Sequence, residues 1–125
     1  MLISTTNTLE GYEIRSYLGI VSGETIVGIN LFKDMFAAVR DIVGGRAAAY
    51  ERELEKARAI ALGEMERRAD EMGADAVIAV SLDYETIGNK GSMMMVGALG
   101  TAVRLRRISA SSYDDQTPRK ENVWK

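Results

Sequence analysis

The chain has 125 residues, enough for one domain, with a net charge of −2 and an ordinary apolar content of 46%. It contains no cysteine and no histidine, which excludes disulfides, thiolate chemistry, the Ser-His triad and the commonest ligands for soft metals. The balanced charge gives no field that would favour nucleic acid or an anionic membrane surface, and no apolar run reaches the ~20 residues that span a bilayer. Met1 to Asn7 lack a basic stretch followed by an apolar core, so no signal peptide is read and the expected location is the cytoplasm.

Leu2 to Thr6 is a short strand candidate, and Asn7 to Gly11 a turn. Tyr12 to Asn30 is rich in β-formers, with Tyr12 and Ile14 alternating against Glu13 and Arg15; Gly19, Gly23 and Gly28 mark bends, bulges or close backbone approach. Leu31, Phe32, Met35, Phe36, Val39, Ile42 and Val43 recur at helical spacing, giving a short amphipathic helix capped by Asn30 and stopped by Gly44-Gly45. Arg46 to Met72 then forms a proline-free helix closed by Gly73. Tyr50, Leu54, Ala57, Ala61, Met65, Ala69 and Met72 lie on one face, and Glu64/Arg68 and Arg67/Glu71 are i,i+4 partners. At ~1.5 Å per residue it is about 40 Å long. A compact chain of this length has a radius of gyration of about 14 Å. The helix therefore overruns its own domain, and a second copy is the simplest cover for the overhang.

Ala76 to Tyr84 alternates as a strand, Val77, Ala79, Ser81 and Asp83 against Ala76, Ile78, Val80, Leu82 and Tyr84. Gly88 to Gly91 reads as a hairpin connection. Ser92 to Arg107 is a long last strand, apolar on both faces through Ala102 and so expected to be buried on both sides. Residues 108–125 are polar, aperiodic and hold the only proline, Pro118; they read as a mobile tail after a single domain over residues 1–107. The class is α+β: an antiparallel sheet packed by one short and one long helix.

Three constellations could carry chemistry. Gly44-Gly45-Arg46 at a helix start could cradle an anion on free N–H groups with Arg46 adding a contact, although glycines at a helix junction ordinarily serve the turn alone. Among the acidic residues Asp75, Asp83 and Glu85, the last two share a strand face, and with Glu24 they could hold a hard cation through oxygens; charged strand ends more often simply face water. Met93-Met94-Met95 could offer thioethers to Cu(I), but alternation sends Met94 away from the other two, and methionine is more often core filler. Arg104, Arg106 and Arg107 lack interleaved aromatics, so no nucleic-acid partner is expected.

Several segments in order resemble the YbjQ-like family of small bacterial proteins: Tyr17-Leu18-Gly19-Ile20-Val21-Ser22-Gly23-Glu24, Asp41-Ile42-Val43-Gly44-Gly45-Arg46 with Tyr50-Glu51, Gly73-Ala74-Asp75-Ala76-Val77, Asp83-Tyr84-Glu85, Gly91-Ser92-Met93 and Gly100-Thr101-Ala102-Val103. The resemblance runs from Met1 to about Arg107. It implies a dodecin-like α+β subunit that assembles into a ring, a homopentamer, and a label of heavy-metal binding without an established reaction. One departure is Ala47, where the family pattern has Ser after Gly-Gly-Arg. The leading expectation is a non-enzymatic, self-associating binding or scaffold protein. The alternative is an oxygen-ligated metal site of Glu24, Asp83 and Glu85 at a subunit boundary, with a metal ion as the one cofactor considered. An enzyme ranks last, because without His or Cys it needs a buried carboxylate of raised pKa.

Overall fold

The computed structural model describes residues 1–28, 44–88 and 93–108, and of residues 44–50 the backbone alone. The elements are β1 (Leu2–Ile3), β2 (Tyr12–Val27), α1 (Gly44–Glu71), β3 (Ala76–Ile87) and β4 (Met93–Arg107). The strands form one four-stranded sheet in the order β1-β3-β4-β2. The class is α+β, as the pattern predicts, but the sheet is mixed rather than antiparallel. β1 runs parallel to β3, with Leu2 opposite Ala76 and Ile3 opposite Val77. Alternation reports which face a side chain takes and carries no information on strand direction. Parallel neighbours need a long crossover; here β2 and α1 intervene in sequence between the two strands.

Among the described residues there is one helix, and none is long and apolar enough to cross a membrane. The expected short helix over Leu31–Val43, the Asn30 cap, the residues after Gly88 in the expected hairpin, and all of the expected tail beyond Ile108 lie outside the described residues. Gly44 and Gly45, expected to separate two helices, are instead the first two residues of α1. Helix ends shift by a residue or two with small changes in backbone geometry, and glycine adopts helical angles as readily as any others.

The chain divides into two compact units: Met1–Val21, Glu66–Ser81 and Leu99–Lys125 form the first, and Ser22–Met65 with Leu82–Ala98 the second. In the first unit, Leu9, Ala76, Ile78 and Val103 make a small buried core against which Leu2, Tyr12, Ile14 and Leu105 pack. The N-terminal segment is tied to β3 by backbone bonds: Ser4 N–H to the Val77 carbonyl at 3.0 Å, Val80 N–H to Ser4 at 3.0 Å and Ala79 N–H to Thr6 at 2.8 Å. Ala79 takes a positive φ of 53°. This single left-handed residue shifts the alternation of β3 by one, so Val77 and Val80 both lie beside Gly100, on one face. The regular alternation expected from the sequence, which put Val80 with Ile78, is corrected there.

The end of α1 is also built in the first unit. Gly73 has φ +82°; its N–H donates to Asp70 at 2.9 Å and Ala74 N–H donates to Ala69 at 3.0 Å. These two bonds define a Schellman cap, whose left-handed residue is glycine because a Cβ is strained there. Arg104 Nε donates to the Gly73 carbonyl at 3.1 Å, a cation at the negative end of the helix.

In the second unit, Ala57, Ala61 and Met65 supply the buried stripe of α1 at four-residue spacing. β2 approaches them at Gly23. A Cβ on Gly23 would stand 2.2 Å from the Ala61 carbonyl oxygen and 2.4 Å from the Met65 nitrogen. The alanine-rich stripe and the missing Cβ are thus two sides of one close contact. Val96 and Ala98 of β4 are likewise buried.

Candidate functional site

Side-chain contacts fix the two faces of the second unit's sheet. Gly23 faces α1, so by strand alternation Glu24 and Ile26 point to the opposite face. The Tyr84 hydroxyl accepts a hydrogen bond from Arg58 Nη1 of α1 at 3.3 Å, so Tyr84 points toward the helix, and Asp83 and Glu85 point away. That hydrogen bond raises the Arg58 guanidinium above its ordinary pKa. The three candidate carboxylates, Glu24, Asp83 and Glu85, therefore share the helix-free face, and all three are exposed.

They do not form one group. Asp83 and Glu85 are two residues apart on β3, whereas Glu24 stands on β2, and β4 runs between these strands. Two strand spacings are about 10 Å, while a hard cation needs its oxygens at about 2.3–2.6 Å. Among the described residues no three Asp, Glu, His or Cys gather into a group able to hold a metal ion. Asp75 is engaged elsewhere: its Oδ2 accepts the Leu105 N–H at 2.8 Å, clamping β4 beside the start of β3.

The other candidates fare differently. Gly44, Gly45 and Arg46 open α1, so their backbone N–H groups belong to its first turn, but the Arg46 side chain lies outside the described side chains. Met93 and Met95 alternate with Met94 on β4, and all three are half-buried. Arg106 is paired with Glu13 of the same chain, Nε to Oε2 at 2.9 Å, and Arg104 is spent on the helix cap. Two of the three arginines closing β4 thus have partners within the first unit.

The feature that sequence reasoning underrated is exposed apolar surface. In the first unit Ile20 is 78% exposed, Tyr17 69% and Leu99 49%; in the second, Ile26 and Ile60 are each 56% exposed. The expected two-sided burial of β4 is met in part: Val96, Ala98 and Ala102 are buried on one face, while on the other Val103 is buried, Met93, Met95 and Thr101 are half-buried and Leu99 is left open. Along β2, Tyr12 and Ile14 pack into the first unit's core, while Ile20 and Ile26 further along are uncovered. An apolar, half-covered strand is the local signal that could have marked these positions.

A heavy metal does not fit the donors present. Soft ions select thiolate, thioether or imidazole. The chain has no cysteine or histidine, and one strand face offers only the thioethers of Met93 and Met95.

Comparisons with known proteins agree with the fold. A protein with unknown function from Pediococcus pentosaceus, described as a member of the DUF74 family, superposes with a TM-score of 0.57 at 17% identity, over 85% of this chain and 98% of that one. At that identity the likeness establishes the fold alone. The YbjQ family model, described as "Putative heavy-metal-binding", matches residues 1–106. With that match over most of its length, and with DUF74 naming the same family, the chain belongs to the YbjQ-like family.

Proposed function

We propose that this protein is a homo-oligomeric binding or scaffold subunit that closes into a ring, a homopentamer as the family resemblance implies, and that it performs no catalysis. The observation that carries this reading is the exposure of Ile20, Ile26 and Leu99 on strands whose neighbouring positions are buried. Scaled by their exposed fractions, burying these three side chains stabilises by about 4 kcal/mol per copy. Association costs at least that much in lost freedom, so a stable contact must bury further surface. The lack of His and Cys supports a role without acid–base or nucleophilic chemistry at neutral pH. Light scattering at micromolar concentration tests the reading. A mass several times 13.7 kDa is expected, and a monodisperse single chain would contradict it.

A second reading rests on the shared face of Glu24, Asp83 and Glu85. Since β4 separates Glu24 from the other two within one chain, an oxygen-ligated cation would have to draw on a neighbouring copy. Titration calorimetry with Mg²⁺, Ca²⁺, Zn²⁺ and Cu⁺ tests this. Binding tighter than millimolar to a hard cation, lost in an Asp83→Asn/Glu85→Gln variant, is the expected result; equal binding by the variant would exclude these carboxylates.

A further inference from the structure

In the first unit, β2 and β4 bring arginines together beside the end of α1. The Ile108 N–H, just past β4, donates to the Gly11 carbonyl, just before β2, at 3.0 Å, so these neighbouring strands are antiparallel. Further in, Arg106 Nε donates to Glu13 Oε2 at 2.9 Å, which fixes the register. Two residues along each strand, Arg15 stands opposite Arg104, and after them Tyr17 stands opposite Ala102. Tyr12 and Ile14 pack on the Leu9 core, so Glu13, Arg15 and Tyr17 take the other face by alternation. That is the face of the helix end, where a Cβ on Gly19 would stand 3.7 Å from Met72 Cε. From this juxtaposition we propose that Arg15 and Arg104 bind the phosphate of a small phosphate monoester, whose apolar part lies against Tyr17.

The charges favour an anion. Opposed residues that exchange main-chain bonds have Cα atoms roughly 5.5 Å apart, and like charges so placed repel. The acids nearby are engaged: Glu13 pairs with Arg106, and Glu71 of the last turn of α1 pairs with Arg67. Among the described residues Arg15 meets no carboxylate. Arg104 gives its Nε to the Gly73 carbonyl, which leaves the Nη groups of a five-donor guanidinium. That bond also offsets the negative end of α1, which works against an anion here. Both arginines are exposed. A phosphate monoester matches them in charge and in acceptors, since its dianion balances two guanidinium groups and offers three oxygens to their forks; a carboxylate balances only one. Tyr17 is 69% exposed, and the residue opposite it, Ala102, is too small to cover its ring. An apolar group can therefore lie on that ring. The site belongs to the first unit of one chain and needs no second copy.

Titration of the intact chain at fixed ionic strength tests the site, with phenyl phosphate as the probe and inorganic phosphate and phenol for comparison, read by calorimetry and by amide and guanidinium NMR shifts. The expected result is a Kd of about 1 mM or below for phenyl phosphate, weaker binding of inorganic phosphate and none of phenol. The shifts should gather on residues 13–17 and 102–106 and spare residues 82–87. Arg15→Gln should weaken phenyl phosphate by about tenfold or more, with its fold checked by a thermal melt. Arg107→Gln should leave binding unchanged, because Arg107 alternates with Val103 and Leu105 on the opposite face. Equal binding by Arg15→Gln, an equal loss in Arg107→Gln, or shifts centred elsewhere overturns the site. So does the absence of binding at about 10 mM phenyl phosphate. Inorganic phosphate that binds as tightly as phenyl phosphate overturns the part given to Tyr17. A multimer that binds no phosphate overturns this site and leaves the oligomeric reading standing.

Discussion

Adding one methyl group at Gly23 should cost far more than its size suggests. The new Cβ would stand 2.2 Å from the Ala61 carbonyl oxygen, 2.4 Å from the Met65 nitrogen and 3.1 Å from the Glu64 carbonyl carbon. All three are backbone atoms of α1, so no rotamer change relieves them. Carbon contacts settle near 3.5 Å or more, and the helix must retreat by about 1 Å. A gap of that size forfeits a quarter to a half of each dispersion contact along the Ala57, Ala61 and Met65 stripe. Overpacking of this kind costs about 3 kcal/mol, and at roughly 4 °C per kcal/mol for a chain of this size Tm falls by about 12 °C. Gly63 is the internal control. It is an exposed residue of the same helix, and a Cβ there meets nothing within 4 Å. Gly63→Ala should raise stability by about 0.5–1 kcal/mol through helix propensity. Both variants are melted by circular dichroism at one protomer concentration, since assembly makes Tm concentration-dependent. A Gly23→Ala melt within 2 °C or so of the parent, or a comparable loss in Gly63→Ala, would refute the close approach of β2 to the helix.

Ile20→Asp and Ile26→Asp should each shift the assembly toward single chains, because each removes over 1 kcal/mol of apolar burial per copy and places a charge in the contact; light scattering across a dilution series would show the dissociation constant rising at least tenfold. Gly73→Ala should lower Tm by about 4–8 °C, since φ +82° strains any side chain by about 1 kcal/mol and the new Cβ would meet Arg104 Nη2 at 2.9 Å; an unchanged melt would contradict the Schellman cap. Asp75→Ala should cost about 1–2 kcal/mol by removing the acceptor of the Leu105 N–H, with Asp75→Asn, which keeps a carbonyl oxygen, losing less; equal losses in the two would show that charge, not the hydrogen bond, matters there.

Much of the architecture was legible because it follows periodicity. The four-residue spacing of Ala57, Ala61, Met65 and Ala69 located the buried face of α1, and the glycine at 73 located its end. The sequence marks Gly19, Gly23 and Gly28 alike as bends, bulges or close approaches; only the structure singles out Gly23 as a close approach, whereas a Cβ on Gly28 would meet nothing within 4 Å. Strand direction was not legible, because parallel and antiparallel neighbours show the same alternation, and so β1 came out parallel to β3. Nor was the slip at Ala79: alanine does not announce a positive φ, and only the bonds from Ser4 and Thr6 explain it. Of the candidate site, the sequence placed Asp83 and Glu85 on one strand face, yet could not show that β4 separates them from Glu24. Sheet order is a long-range property that no local spacing encodes.

Self-association through apolar strand surface is tested most directly by native mass spectrometry of the untagged chain, which reports copy number and retained ligand in one spectrum. A single dominant species at five times the 13.7 kDa chain mass is expected, with that mass lost in Ile20→Asp. A spectrum dominated by the 13.7 kDa chain at micromolar concentration, or a multimer indifferent to Ile20→Asp and Ile26→Asp together, would contradict it.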